Sequence, residues 1–146
     1  MGYVSKEVIL LMNTTLFIIK PDAVSRKLIG TILSRFESKG FLFKQLKFVS
    51  LDQETAAKLY DPHKDKPFFN ELIDFITSGP VVIAIIEGND AVNVVRRMIG
   101  STKSYDAEPG TIRGDFGLDL TANIIHASDS EESFIRESSV LFNNTK

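Results

Sequence analysis

The chain has no cysteine and no tryptophan, only two histidines, and no excess of either charge sign. Lack of cysteine excludes a disulfide framework, a thiolate nucleophile and Cys-based zinc sites, and two histidines leave little for a metal cage. Lysine and arginine number 17 against 19 acids, a formal net charge of -2. General attraction to nucleic acid or to an anionic membrane is therefore not expected, and any anion site must be local. The apolar stretch Val8 to Met12 is too short for a signal h-region or a membrane span, so the chain reads as cytoplasmic. Residues 1–12 read as an extension, either an added edge strand or a patch buried against another subunit. The triplets Asn13-Thr-Thr15 and Asn143-Asn-Thr145 fit the glycosylation pattern by chance if no secretory signal precedes them. There is no G-x-x-x-x-G-K-[ST] loop, and Gly110, Gly114 and Gly117 are not spaced as the dinucleotide fingerprint.

What is there suits one globular domain of 146 residues, 43% hydrophobic and 25% charged. Thr15 to Lys20 reads as a buried strand stopped by Pro21-Asp22, and Leu28, Ile29, Ile32, Leu33 and Phe36 recur at helical spacing before a Gly40 cap. Phe41 to Ser50 reads as a second strand, with Ser50-Leu-Asp-Gln53 resembling a capping box. Two short helices follow, over about Gln53 to Tyr60 and from Phe68 to Ile76, parted by Asp61-Pro62 and ended by Gly79-Pro80. Val81 to Ile86 is a central strand, and Asn89 or Asp90 caps a helix that Gly100 closes. From Ser101 to Asp119 neither period holds, so a shaped functional loop is expected. Thr121 to His126 is the last strand, before a helix with Phe134, Ser138, Leu141 and Phe142 inward. The order is βαββαβ with a helical insertion, an α+β ferredoxin-like antiparallel sheet. Residues 13–146 form the single domain.

The run Asn123-Ile-Ile-His126-Ala-Ser-Asp129-Ser130 puts an imidazole at a strand end. A neutral imidazole attacks phosphorus without help from a metal, and a pKa of about 6.5 leaves about three quarters of it neutral at pH 7. A histidine at a strand end is also a common structural residue. Lys20 at a strand end, Arg96 on a helix and Arg113 in Pro109-Gly-Thr-Ile-Arg-Gly-Asp-Phe116 could together balance a phosphate chain, though each alone reads as a solvated charge.

Five blocks in order, Ile19-Lys-Pro-Asp22, Lys66-Pro-Phe-Phe69, Ser78-Gly-Pro80, Pro109 to Asp115 and Asn123 to Ser130, resemble the nucleoside diphosphate kinase family from about Thr15 to Phe142. The resemblance implies transfer of the terminal phosphate of a nucleoside triphosphate to a nucleoside diphosphate, by a ping-pong route through a phosphohistidine at His126. It assigns Lys20, Tyr60, Arg96, Thr102, Arg113 and Asn123 to sugar and phosphates. Phe68 corresponds to the aromatic that stacks on the base, Glu137 to the acid that orients the imidazole, and Ser128 to the support of that acid. Mg²⁺ is expected on the nucleotide phosphates, with a homo-oligomer, a hexamer before a tetramer, as the assembly. A base read by its π-face implies broad base tolerance.

Without the family, Phe68 falls in a core stripe with Phe69, Leu72 and Ile76, and Tyr60 and Thr102 are similarly plain. Glu137 could be an exposed helix acid, Asp129, Glu131 and Glu132 favour a helix N-terminus, and His63 reads as a surface residue. The chain departs from the family at Ala127, where glycine usually follows the nucleophile; activity survives this unless φ is positive there. It also stops soon after the last helix, so contacts of a longer tail are not expected. Two other readings are an inactive nucleotide-binding relative and a ferredoxin-like nucleic-acid binder. The second conflicts with the negative charge and with aromatics spread over helices.

Overall fold

The computed structural model describes residues 4–142; the triplet at Asn143 and the chain's end lie outside them. Four antiparallel strands make one sheet: β1 Thr14–Ile19, β2 Leu42–Val49, β3 Val81–Glu87 and β4 Ile125–Ala127, in the order β2-β3-β1-β4. This is the expected α+β, ferredoxin-like arrangement. β1 is central, pairing with β3 on one side and β4 on the other, and every one of its residues is buried. Burial on both faces is why it reads as an unbroken apolar run instead of an alternating one.

Strand alternation divides the core in two. Phe17 and Ile19 of β1, with Val82, Ala84 and Ile86 of β3, face α3 (Ile29–Lys39) and α6 (Ala91–Ile99). Here Phe17 and Phe36 stack with ring centroids 4.4 Å apart. Leu16, Ile18, Val81, Ile83 and Ile85 face α4 (Gln53–Leu59), α5 (Phe69–Ile76) and α8 (Glu131–Phe142). The end of α3 follows the expected chemistry, with Gly40 at φ +114° as a left-handed cap.

Several elements differ from the sequence reading. Residues Lys6–Met12 form a helix, α1, so the edge-strand alternative is overturned. Ser5 Oγ accepts from Val8 N–H at 3.2 Å, a start signal that the apolar composition obscured. The cap of α4 is Asp52, which takes the Thr55 N–H at 2.7 Å, and not a box begun at Ser50. A short helix, α2 (Pro21–Ser25), begins where Pro21 was read only as a strand stop, since proline suits the first helical turn. The stretch 101–119 is shaped as expected but holds a 3₁₀ turn at Ser104–Asp106 and α7 (Ile112–Phe116). The last strand has three residues instead of the six of Thr121 to His126. The cause is Ile124, at φ +80°, which keeps the preceding residues out of the ladder.

Candidate active site

His126 sits in the middle of β4, opposite Ile18. Its neighbours Ile125 and Ala127 point into the core beneath α3 and α6, so alternation sends the imidazole to the other face, where α8 and the end of α4 lie. There His126 Nε2 lies 3.0 Å from Glu137 Oε1, and Ser128 Oγ donates to the same oxygen at 2.7 Å. Arg136 Nη2 approaches Oε2 at 3.5 Å. Glu137 is 4% exposed, so its plain surface reading is excluded. Burial alone would raise its pKa. The His126 ring, then the Ser128 hydroxyl and Arg136, outweigh burial and hold the carboxyl below its ordinary range. An ionised carboxylate only accepts, so the imidazole proton lies on Nε2 and the free lone pair is on Nδ1.

Beside His126 the Tyr60 ring meets the imidazole edge-on, with centroids 6.3 Å apart. Tyr60 is 6% exposed; burial, then the Glu137 charge, raises its pKa and keeps the phenol protonated. Phe68 is different: at 40% exposure it leaves the core stripe to which its spacing assigned it. It stands at the start of α5, and Lys66 Nζ lies 5.9 Å from its ring centre. His63 is not a free surface residue. Its ring packs between Tyr60 and Phe68, at 6.4 and 5.8 Å, and its Nδ1 is buried without a hydrogen-bond partner. Burial, then Lys66, lowers its pKa, while Asp129 opposes. No motif surrounds His63 in the sequence, and only the fold of Asp61–His63 as a 3₁₀ turn brings it inward.

A second group lies around the turn before β4. Lys20 Nζ donates to Asn123 Oδ1 at 2.7 Å and to the Thr121 carbonyl at 3.3 Å. Asn123 Nδ2 in turn donates to the Thr102 carbonyl at 2.9 Å. Arg113 is 4% exposed and gives its guanidinium to three carbonyls, those of Gly100, Asn123 and Ile125. Burial, then Arg113, pushes Lys20 down to about 7, with Asp22 opposing. Burial, then Arg96, pushes Arg113 down to about 10, with Asp129 opposing. Two crowded cations close together are a standing demand for an anion. Arg96, on α6, completes the set, with Nη1 3.1 Å from Asp129 Oδ1 and 3.4 Å from the Ala127 carbonyl.

Ile124 holds the two groups in register. The Ile125 N–H donates to the Asn123 carbonyl at 2.9 Å, closing a three-residue turn around Ile124, whose own N–H goes to Asp22 Oδ2 at 3.1 Å. A β-branched residue at φ +80° stores roughly 1–3 kcal/mol, and such strain persists only where surroundings enforce it. Ala127 is not among the described residues of positive φ, so its Cβ imposes no backbone strain where the family has glycine.

The family model for nucleoside diphosphate kinase matches residues 13–146. The chain belongs to the nucleoside diphosphate kinase family. Its activity is that of this family of phosphotransferases. A nucleoside diphosphate kinase of Sulfolobus acidocaldarius is 56% identical over 131 residues, 90% of each chain. One from Sulfurisphaera tokodaii is 57% identical over 131 residues, 90% of this chain and 89% of the relative. Among solved structures, a halophilic nucleoside diphosphate kinase from Halobacterium salinarum in complex with CDP is similar at TM-score 0.87 and 47% identity, covering 90% of this chain and 88% of that one. The Aquifex aeolicus enzyme aligns at TM-score 0.87 and 44% identity, covering 90% and 96%. The family binds nucleotides and generally uses a divalent metal with them. Among the described residues no group of three or more His, Cys, Asp or Glu could hold a metal ion, and the donor set beside His126 is cationic. That set fits a metal carried on phosphate oxygens. No described helix is long and apolar enough to cross a membrane.

Proposed function

We propose that this nucleoside diphosphate kinase works by ping-pong transfer through a phosphohistidine on His126, and the observation that carries the reading is the 3.0 Å contact of Nε2 with buried Glu137. The Nδ1 lone pair attacks the terminal phosphorus of a triphosphate. The bond from that phosphorus to the bridging oxygen breaks, and the oxygen keeps the electron pair and leaves on the diphosphate. The ring becomes cationic as the bond forms, and Glu137 stabilises it through Nε2–H. In the second half-reaction a terminal oxygen of another diphosphate attacks the same phosphorus, and Nδ1 departs with its electrons. A phosphoryl group in transit spreads negative charge over its oxygens, so aligned cations lower the barrier most. Lys20, Arg96 and Arg113 supply that charge, with Tyr60, Thr102 and Asn123 completing the sugar and phosphate contacts. Lys20 acts as a catalytic residue beside His126 and Glu137.

Phe68 stacks on the base. Its exposed ring, with Lys66 alongside, supports recognition through the π-face that every base shares, hence broad base tolerance. Mg²⁺ is the metal of the nucleotide complex, where it neutralises phosphate charge, and no protein cage is required. Residues 13–146 are the catalytic domain and 1–12 an extension. The compartment is the cytoplasm, where nucleoside di- and triphosphates are the available substrates. The assembly is a homo-oligomer, a hexamer before a tetramer. The edge strand β2 supports self-association, since Leu42, Leu46 and Phe48 are 59%, 52% and 63% exposed, and a bare apolar edge is rarely left uncovered. Sedimentation of the intact chain as a monomer at micromolar concentration counts against that assembly.

The kinetic pattern tests the mechanism. Double-reciprocal plots at several fixed acceptor concentrations are expected to be parallel, because the donor diphosphate leaves before the acceptor enters. Intersecting lines would mean direct transfer in a ternary complex.

A further inference from the structure

Asp129 lies in the turn between β4 and α8, where an acid is ordinarily taken up by the helix start. Here Ser130 does that work: its Oγ accepts from the Ser133 N–H at 3.0 Å. Asp129 reaches the other way, 3.1 Å from Arg96 Nη1, with 73% of its side chain exposed against 35% for Arg96. Its charge is also felt by Arg113 on α7 and by His63 in the turn after α4, opposing in each case what burial does to them. Lys66 and Arg136 bear on His63 from the cationic side, and Arg96 on Arg113. One acid thus bears on Arg96, Arg113 and His63 together.

We infer that Asp129 is a displaceable internal anion that competes with phosphate for Arg96, and so sets how tightly nucleotide is held and how readily product leaves. The inference rests on the assignment of Arg96 to the phosphates. A pair this exposed adds little to fold stability, so Asp129 gives up Arg96 at small cost. The carboxylate keeps Arg96 turned toward the Ala127 carbonyl and the strand that carries His126. An incoming phosphate, with more charge and more acceptor oxygens, takes the guanidinium over. Once displaced, the nearby carboxylate repels the bound phosphates, which weakens the complex and favours release in an enzyme that must exchange nucleotides twice per cycle.

Calorimetric titration of the intact, unphosphorylated protein with ADP in EDTA tests this without a bridging metal. Asp129→Asn keeps the shape and removes the charge, and it is expected to bind ADP about five-fold more tightly, the scale of an exposed ion pair. The gain is expected to shrink in high salt, and to be smaller when the same substitution is made in an Arg96→Met background, where only direct repulsion remains. Equal affinity in Asp129→Asn and wild type would make the pair an idle surface contact and overturn the inference. Weaker binding in Asp129→Asn would also overturn it, showing an acid that only orients Arg96. Failure of wild type to bind ADP would instead strike the assignment of the phosphate site.

Discussion

At the scale of single residues, the chemistry turns on which nitrogen of His126 is engaged. Glu137 holds Nε2, and on the proposed mechanism its charge is needed most when the ring becomes cationic. Glu137→Gln can still meet the ring by hydrogen bond but brings no charge, so turnover is expected to fall about ten-fold or more with little change in nucleotide affinity. Wild-type phosphorylation rates in single-turnover measurements on the folded variant would show that the carboxylate does not act on the ring. Lys20 gives a second expectation, with its sign fixed by burial. Burial, then Arg113, pulls its pKa down to about 7, so at pH 8 much of it is neutral, and a phosphate brought beside it pulls a proton back on. Metal-free ADP binding is therefore expected to take up a proton near pH 8, and to weaken as pH rises through 7 toward 9. Calorimetry in buffers of different ionisation enthalpy reads the uptake, and identical heats after buffer correction would contradict it. Lys20 and His126 stand inside the five sequence blocks, whereas Glu137 lies beyond the last of them and was singled out only through the family resemblance. Asp129 and His63 were misread, since their partners Arg96 and Phe68 come from separate elements that only the fold joins.

Among the elements, the long periodic ones were readable and the strained ones were not. The stripe from Leu28 to Phe36 and the Gly40 cap announce α3 directly, as the run from Val81 announces β3. Nothing in Asn123-Ile-Ile announces a three-residue turn at Ile124, because a positive φ at a β-branched residue is imposed by Asp22 and Arg113 from outside. The helix α7 also depends on close fit. Thr111 Oγ caps it by accepting from the Gly114 N–H at 3.0 Å, and a Cβ on Gly114 would collide with the Glu108 carbonyl oxygen and carbon. The obstacle is backbone, so α7 must shift and take Arg113 with it. Gly114→Ala is expected to cost about 2 kcal/mol or more of stability and to lower kcat/KM at least ten-fold at temperatures where the variant is fully folded. A thermal melt and steady-state rates within two-fold of wild type would show that the loop tolerates the shift without losing the site.

For the whole molecule, a single sheet sorts two cores, and His126 stands where the sheet's short last strand meets both. The face holding α3, α6 and α7 supplies the cations Arg96 and Arg113, while the face holding α4, α5 and α8 supplies Tyr60, Phe68 and Glu137. His126 receives both sets because β4 is an edge strand beside the fully buried β1. Family and fold were foreshadowed by the order of motifs; the division of the core was not. The helical N-terminus was not, since five apolar residues fit a strand as well as a helix. The central claim is a covalent phosphoryl group on one named side chain, and direct chemistry tests it best. After brief incubation with γ-labelled ATP, the protein is expected to carry acid-labile, alkali-stable label on His126, discharged by an added diphosphate. His126→Ala is expected to bind ADP yet take no label. Label on another residue, or steady-state transfer by His126→Ala, would contradict the account.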